Sequence, residues 1–362
     1  MRSLIPVLAG AALAFLPATH AGADTPEAES GPEWSGFIQF RYDGIEGDDD
    51  AATSTVSSMR IRRARVKATG ELRERFAYKL QLSMARGASS VAVDPTLLDA
   101  TLTWSFGADL ALTCGQFKIP VGHEEVQPAW RIDLIDYFHS GARLLNPVGG
   151  RDIGAKISGK GVGGRFRWGL GLFNGSGPNI AANDDAAFLY AAALDWSSPA
   201  GDQGTFYLHA SGLIDQPAGG EDSDPSPLTR SDLDDPFAAG YERRVLDLAA
   251  GGRYGPWSLK GEYIAAELTA DAPSGPRIAA GGYFVQAGRG FFEEKIELFA
   301  RHQTYDPDDR SAGADAIDWT TLSLNHYMEE HSAKLMANYV LRREDGASID
   351  NDTFQLQFQL KF

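Results

Sequence analysis

The stretch Met59–Ala68, MRIRRARVKA, carries five cations in ten residues and still alternates like a β-strand. Its even positions from 64 to 68 are small and apolar, whereas its odd positions from 63 to 67 are basic. A helix would scatter these cations around its axis, but a period of two places them on one face. This pattern favours the wall of a transmembrane β-barrel with a positively charged lumen. The alternative for this stretch alone is an edge strand of a soluble sheet, where Lys and Arg deter aggregation.

The rest of the chain favours the barrel. Alternating runs of about ten residues, the length that a tilted strand needs to cross a bilayer, recur from Trp34 to the end of the sequence. Short and long connections follow one another in turn, which is typical of outer-membrane barrels. The sequence therefore predicts an all-β fold: a transmembrane antiparallel β-barrel of about 16 strands over residues 34–362, with short periplasmic turns and long external loops.

The start of the chain has the pattern of a targeting segment. Arg2 supplies a positive charge, Leu4–Leu16 an apolar run, and Ala21–Ala23 small residues suited to cleavage. We expect a cleaved signal peptide over 1–23 and a short leader over 24–33.

The final strand ends in an aromatic residue, Phe362, which resembles the assembly signal of barrel proteins in Gram-negative outer membranes. We therefore predict that the protein lies in the outer membrane of a Gram-negative bacterium.

Composition excludes several classes of function. The formal net charge of −16 argues against a nucleic-acid partner. The single cysteine, Cys114, excludes an internal disulfide. The sequence shows no metal-ligand spacing, phosphate-binding glycine loop or nucleophile elbow, so it predicts no catalytic residues, no metal and no cofactor. An enzyme or adhesin that uses the barrel as a scaffold is a remote alternative, because an enzyme would need a nucleophile and a base aligned on neighbouring strands.

The segment Lys118–Gly150 breaks the alternation and is the third long connection of the predicted barrel. A loop of this length without regular structure is usually functional. It carries basic residues, including Arg131 and Arg143, beside acidic ones, and aromatic and aliphatic residues that could anchor it inside the barrel. We expect it to fold inward and narrow the lumen. An ordinary solvated loop is the alternative.

The apolar faces set the phase of each strand, and their opposite faces are the predicted lumen. Cations outnumber anions there, whereas acidic residues concentrate in the long loops, as at 46–50 and 221–224. The predicted ion pathway consists of Arg41, Arg63, Arg65, Lys67, Lys79, Arg165, Arg167, Lys295, Arg301 and Arg342, with Asp99 as an anion and Lys118, Arg131 and Arg143 in the third loop. Because local charge sets the potential in a narrow channel, this pattern predicts anion preference. The alternative is that these cations pair with lumen carboxylates and cancel.

Several short motifs, in order along nearly all of the mature chain, resemble the phosphate- and polyphosphate-selective porin family (porin O and P) of Gram-negative outer membranes. The motifs are Arg62–Arg65, Asp99-Ala100, Gly115–Lys118 followed by Pro120, Gly150–Gly154, Phe173–Gly175, Gly261–Tyr263, Leu324–Tyr327 and Asn338-Tyr339. The resemblance implies a trimeric, passive, sixteen-stranded channel with an inward-folded third loop.

The resemblance also implies roles for particular residues. In that family, arginines form a ladder that guides anions toward a constriction bearing a lysine. By position, Arg62, Arg63, Arg65 and Lys118 match this pattern, and Asp99 matches the acidic partner near the narrow zone. After Pro120 the sequence runs Val121–His123, where the family tends toward an aromatic residue.

Three functions follow as hypotheses. The first is a passive diffusion channel that prefers anions such as phosphate or polyphosphate. The second is a weakly selective general porin, or a channel for an organic solute such as an acidic sugar or a dicarboxylate. The third is the scaffolded enzyme or adhesin. The expected partners are small anions, outer-membrane lipid and lipopolysaccharide, and two further copies of the chain in a homotrimer.

Overall fold

The computed structural model describes residues 31–45, 56–73, 75–85, 96–145, 150–161, 163–180, 183, 187–198, 201, 204–216, 240–271, 275, 277–309, 316–344 and 351–362. The predicted signal peptide, all but the last three residues of the predicted leader, and the acidic loop stretches 46–50 and 221–224 lie outside these ranges.

Sixteen strands and one short helix occur in this part of the chain. The strands are β1 (Glu33–Ile45), β2 (Val56–Leu72), β3 (Phe76–Ser83), β4 (Thr96–Ser105), β5 (Leu110–Lys118), β6 (Arg151–Gly161), β7 (Phe166–Phe173), β8 (Leu189–Ser197), β9 (Gly204–Asp215), β10 (Tyr241–Tyr254), β11 (Trp257–Ala270), β12 (Arg277–Phe291), β13 (Ile296–Tyr305), β14 (Ile317–Glu329), β15 (Ala333–Glu344) and β16 (Thr353–Lys361). The helix α1 (His139–Leu144) lies between β5 and β6. No helix among the described residues is both long enough and apolar enough to cross a bilayer.

Each strand pairs antiparallel with its neighbours in sequence, and β1 also pairs with β16, which closes the barrel. Closure removes the two free edges that an open sheet would expose to lipid, where each unpaired backbone group would cost several kcal/mol. The predicted fold class, a sixteen-stranded antiparallel barrel, is confirmed.

The strand β16 shows how alternation builds the wall. Its residues Phe354, Leu356, Phe358 and Leu360 are exposed on the outer surface, and the glutamines between them are buried in the lumen. The same alternation places Arg41 of β1 in the lumen between outward-facing aromatic residues. The apolar face of each strand is therefore available to lipid, and the polar face lines the interior.

A β-bulge in the basic strand β2 changes its predicted phase. Gln39 of β1 pairs with Arg63, and the next residue of β1, Phe40, pairs with Ile61, so Arg62 is an extra residue. Ile61 points outward with 55% exposure, whereas Arg62 interacts electrostatically with charges inside the barrel, including Arg63. The bulge thus adds one more cation to the lumen and keeps the apolar side chain of Ile61 on the lipid face.

Deleting Arg62 should therefore leave a regular strand in which Ile61 still faces lipid and Arg63 still faces the lumen. We expect this variant to fold like the wild type, as measured by heat-modifiable migration on a gel and by its urea midpoint. The matched control is deletion of Arg65, which would turn Arg63 toward lipid at a cost of about 2–4 kcal/mol near the middle of the bilayer. Equal loss of folded barrel in both variants would contradict the assignment of Arg62 as the bulge residue.

Two residues that the sequence predicts on the lumen wall, Lys295 and Arg165, lie in turns instead. The sequence predicts a turn near Gly288, but β12 continues to Phe291 and the turn spans 292–295, where three non-glycine residues have positive φ. Lys295 is consequently exposed in this turn and does not lie on the lumen wall. Arg165 is likewise exposed in the turn 163–165, because Gly163 and Gly164 take positive φ before β7 begins.

Candidate functional site

The loop between β5 and β6 enters the lumen with its described residues 119–145 and is held there by a buried ion pair. The Glu124 carboxylate accepts hydrogen bonds from Arg301 on β13 at 2.9 and 2.5 Å, and Lys260 on β11 lies 3.3 Å away. The backbone N–H of Phe138 donates to the same carboxylate at 2.7 Å. Burial opposes ionisation, but the charges of Arg301 and Lys260 outweigh it and lower the pKa of Glu124 to about 2. This contribution to docking is present above the ordinary carboxyl pKa and is lost as the pH falls toward 2.

Further along the loop, two aspartates make similar contacts with the wall. Asp133 lies 2.8 Å from Lys260 and accepts a hydrogen bond from Gln286 at 2.8 Å. Asp136 accepts two hydrogen bonds from Arg41, at 2.7 and 2.8 Å. Arg41 and Arg301, predicted as pathway cations, are thus bound to loop carboxylates.

Lumen side chains of the wall also bind backbone carbonyls of the loop. Gln39 donates to the carbonyl of Ala129 at 3.2 Å, and Gln359 donates to that of Trp130 at 3.0 Å. The ammonium of Lys334 donates to the carbonyl of Ile132 at 2.9 Å. The inward glutamines of β1 and β16 therefore satisfy loop carbonyls that would otherwise be buried without partners.

Apolar packing completes the docking. The rings of Phe138 and Phe284 meet edge to face at 5.0 Å, and Ile135 is fully buried. The hydroxyl of Ser140 in α1 donates to the carbonyl of Thr304 at 2.7 Å. A Cβ atom at Gly282 would lie 2.2 Å from this hydroxyl, so only glycine lets the helix approach β12 this closely. The loop occupies the side of the lumen formed by β10 to β16 and β1.

The opposite side of the lumen carries the cations of β2. Arg63 donates to Gln39 at 3.0 Å and lies 5.7 Å from the Tyr137 ring of the loop, while Arg65 lies 5.6 Å from the ring of Phe37. Within the described residues, Arg62, Arg63, Arg65 and Lys67 form no ion pair with a carboxylate. No described carboxylate pairs with them directly, and Asp136 and Asp99 act on Arg62, Arg63 and Arg65 only over a longer distance.

The acidic residue Asp99 of β4 is shared by two cations. Its carboxylate lies 2.9 Å from the Lys79 ammonium and accepts a hydrogen bond from Arg151 at 2.8 Å. This group keeps one net positive charge on the wall formed by β3, β4 and β6. Arg151 was not among the predicted pathway residues, because it is the first residue of β6, where alternation does not yet define a face. The Gly150–Gly154 motif is the signal that marks it.

Lys118 joins the wall to the loop at the end of β5. Its ammonium donates to the carbonyls of Glu125 and, at 3.2 Å, Gln127, and it lies 5.2 Å from the Tyr137 ring. The Glu125 carboxylate is 3.7 Å away, and burial raises the pKa of Glu125 in spite of this cation. Lys118 therefore holds the loop as well as contributing charge.

A cavity of about 620 Å³ remains between the loop and the basic wall. Its charged lining is Arg65, Lys67, Lys79, Lys118, Arg151, Lys156 and Lys361, with Glu33, Asp99 and Asp195 as the anions. The cations come mainly from β2, β3 and β6, and loop residues 126–130 form the other side. Because positive charges dominate this water-accessible space, it favours small anions.

The remaining predicted pathway residues lie apart from this cavity lining. Arg131 and Arg143 are exposed on the loop, and Arg167 is exposed near the start of β7. Arg342 of β15 lies 4.6 Å from the ring of Trp319.

A closed sixteen-stranded barrel with a loop docked inside its lumen defines the porin class of outer-membrane channels. Fold comparison agrees with this class. The structure resembles an anion-selective porin from Comamonas acidovorans, with 13% identity over 91% of this chain and 99% of that chain and a TM-score of 0.65. It also resembles OmpT of Vibrio cholerae, with 13% identity over 94% of this chain and 100% of that chain and a TM-score of 0.62. A third similar structure is OprB of Pseudomonas putida, with 10% identity over 92% of this chain and 94% of that chain and a TM-score of 0.62. At these identities the likeness shows a shared fold alone.

The chain belongs to the family of phosphate-selective porins O and P, whose family model matches residues 35–212 and 239–362. The predicted family and the predicted anion preference are confirmed: the protein is an anion-preferring outer-membrane channel. Family and fold indicate a channel rather than an enzyme. No curated protein matches the chain in sequence.

Proposed function

We propose that the protein passes phosphate, polyphosphate or similar small anions by passive diffusion, and that the β2 cations set its preference. The observation that carries this proposal is the row of β2 cations Arg62, Arg63, Arg65 and Lys67, which form no ion pair within the described residues and of which Arg65 and Lys67 line the cavity. Guanidinium groups present paired donors that match the oxygens of phosphate, whereas chloride can use only their charge. The row therefore supports phosphate as a better ligand than chloride at this wall.

Ion pairing between cations and carboxylates differs between the two sides of the lumen. Several cations of the β10–β16 side are paired with carboxylates, as Arg301 is with Glu124 of the loop and Arg253 is with Glu297 of the wall, so they contribute little net charge to the passage. Cancellation by lumen carboxylates, the alternative drawn from the sequence, thus applies more fully to this side than to the wall formed by β2 to β6, where the single carboxylate of Asp99 is shared by two cations. The other side supports anion passage along β2 toward Lys118.

The test is the reversal potential of the purified porin in planar bilayers under a potassium chloride gradient. We expect chloride to be more permeant than potassium, and phosphate added at low concentration to reduce the chloride current by occupying the arginine wall. Equal permeability of the two ions would favour the second candidate, a weakly selective porin. Chloride preference without any effect of phosphate would favour a general anion channel.

We extend the proposal to assembly and location. The porin class and the sequence pattern support a homotrimer in the outer membrane of a Gram-negative bacterium, exported by the signal peptide 1–23 and surrounded by lipid and lipopolysaccharide. The mature chain would then comprise the leader 24–33 and the barrel domain 34–362. Chemical crosslinking of the detergent-solubilised protein tests the trimer, and the N-terminal sequence of the mature protein tests the cleavage site.

A further inference from the structure

Three side chains with metal-binding chemistry converge where the loop meets β8 and β9. They are His123 of the loop, Asp195 of β8 and His209 of β9. Nδ1 of His209 lies 2.9 Å from a carboxylate oxygen of Asp195, and the two imidazole rings are 5.2 Å apart. One ligand atom from each of the three residues lies within 4.8 Å of the others.

Neighbouring groups hold these side chains in place. The ring of His123 stacks on Tyr207 at 4.3 Å with an interplanar angle of 15°, and its backbone N–H donates to Asp247 at 3.2 Å. Asp195 and His209 are direct partners across the β8–β9 pair, so both project from the same face of the wall. Nε2 of His209 lies 3.0 Å from the hydroxyl of Ser211. The cluster is therefore supported by a second layer of contacts, as metal sites usually are.

A separate observation points to a cation at this place. Asp247 and Glu262 are buried on β10 and β11, with 0% and 3% exposure, and their carboxyl groups lie within hydrogen-bond reach of each other. Asp247 lies 3.5 Å from Nε2 of His209. Two adjacent buried carboxylates repel each other unless a shared proton or a nearby cation compensates one of their charges. A divalent cation bound to the two imidazoles would supply that charge.

We propose that His123, Asp195 and His209 form a binding site for Zn²⁺ or a similar divalent transition metal. Two imidazoles and one carboxylate are a ligand set that Zn²⁺ accepts, with water in the fourth position. Tetrahedral coordination at 2.0–2.1 Å places ligand atoms about 3.3 Å apart, so small side-chain rotations close the present separations. His209 donates its Nδ1 proton to Asp195 in the present arrangement, and coordination through Nδ1 releases that proton to the solvent.

The position of the site gives it a structural consequence. Asp195 and His209 both line the 620 Å³ cavity, so a hydrated ion reaches them from the lumen. His123 belongs to the loop, and the other two ligands belong to the wall. A bound metal therefore ties the start of the loop to β8 and β9, in addition to the hydrogen bond from the backbone N–H of Gly122 to Ser211 and the stacking of His123 on Tyr207. The sequence predicted no metal site because the three ligands lie far apart along the chain.

The test is a titration of the purified, detergent-solubilised full chain with Zn²⁺ against a chromogenic chelator, with Co²⁺ as a spectroscopic probe of the ligands. We expect one ion per chain and a Co²⁺ spectrum typical of tetrahedral nitrogen and oxygen ligands. His123→Ala and His209→Ala should each weaken binding by at least about 100-fold, since even partners outside the coordination sphere typically contribute 10–100-fold. The matched control is His139→Ala, a second partly buried histidine of the same loop, which should bind like the wild type.

Asp195→Asn keeps the shape of the side chain and removes its charge. It therefore tests the proposed metal site even if a histidine variant does not fold. It should also weaken Zn²⁺ binding. Absence of stoichiometric binding to the wild type overturns the proposal, as does undiminished binding in folded Asp195→Asn and His209→Ala. The Zn²⁺ titration is independent of the bilayer measurement, so a negative result would not bear on the proposed anion preference.

Discussion

The triple variant Arg63→Gln/Arg65→Gln/Lys67→Gln is expected to lower the chloride-to-potassium permeability ratio by at least about ten-fold. Each removed charge stabilises an anion about 8 Å away by roughly 0.5 kcal/mol in a water-filled lumen, and three such contributions, about 1.5 kcal/mol, exceed the roughly 1.4 kcal/mol that equals a factor of ten. Loss of the matching repulsion of potassium lowers the ratio further. These cations have no carboxylate partner within the described residues, so their removal leaves no uncompensated anion. Reversal potentials in planar bilayers measure the ratio directly.

The matched control removes three cations from turns. Arg73, Arg165 and Lys295 are all exposed there. The control variant Arg73→Gln/Arg165→Gln/Lys295→Gln changes the net charge of the chain by the same amount and should keep the wild-type ratio. An equal fall in both triple variants would mean that overall charge, and not the β2 wall, sets the preference. Lys118 is left intact in both, because it also holds loop carbonyls and its removal would mix two effects.

The phosphate effect gives the same experiment a second readout. If guanidinium forks bind phosphate, the triple variant should lose its block of the chloride current by phosphate, while the control variant retains it. Both readouts depend on the same wall, but only the second depends on the shape of the arginine side chain. A lysine-substituted variant, Arg63→Lys/Arg65→Lys, should accordingly keep chloride preference and bind phosphate more weakly.

The barrel was predictable because its determinants are local. Alternation with a period of two defines each wall strand. It predicts strands over 34–43, 257–268 and 351–362, and the ends of β1, β11 and β16 fall within two residues of these bounds. The turn after β12 was placed too early because Phe292, Glu293 and Glu294 take left-handed backbone conformations without glycine. Sequence patterns indicate such turns through glycine or asparagine, which are absent here.

The candidate site was predictable only in part. Strand phase and family resemblance together identify the β2 cations, but alternation alone places Arg62 toward lipid, and only the register of β1 with β2 reveals the bulge. The partners of the other cations depend on contacts between distant segments. Arg41 meets Asp136 and Arg301 meets Glu124 because the loop crosses the lumen. No periodicity in the sequence reports such contacts, so paired and unpaired cations look the same before the fold is known.

Breaking the Glu124–Arg301 pair should release the loop from the wall. In Arg301→Met, the carboxylate of Glu124 keeps Lys260 and one backbone N–H but loses two charge-assisted hydrogen bonds. Removing one partner of a buried ion pair typically costs 3–5 kcal/mol, which shifts the docked-to-undocked ratio by a factor of about 150 to 5,000. We expect a larger and noisier single-channel conductance, and cleavage by trypsin after Arg131 or Arg143, which the barrel protects in the wild type.

Two further variants separate loop release from general destabilisation. Arg243→Met breaks a comparably buried pair, in which Arg243 on β10 donates to Asp215 on β9 at 2.6 Å, within the wall itself. It should lower the urea midpoint without raising conductance or exposing the loop to trypsin. The double variant Glu124→Gln/Arg301→Met removes both charges, so no buried charge is left uncompensated and most of the docking should return. Wild-type conductance and full protection of the loop in Arg301→Met would show that the glutamine and backbone contacts hold the loop without this ion pair.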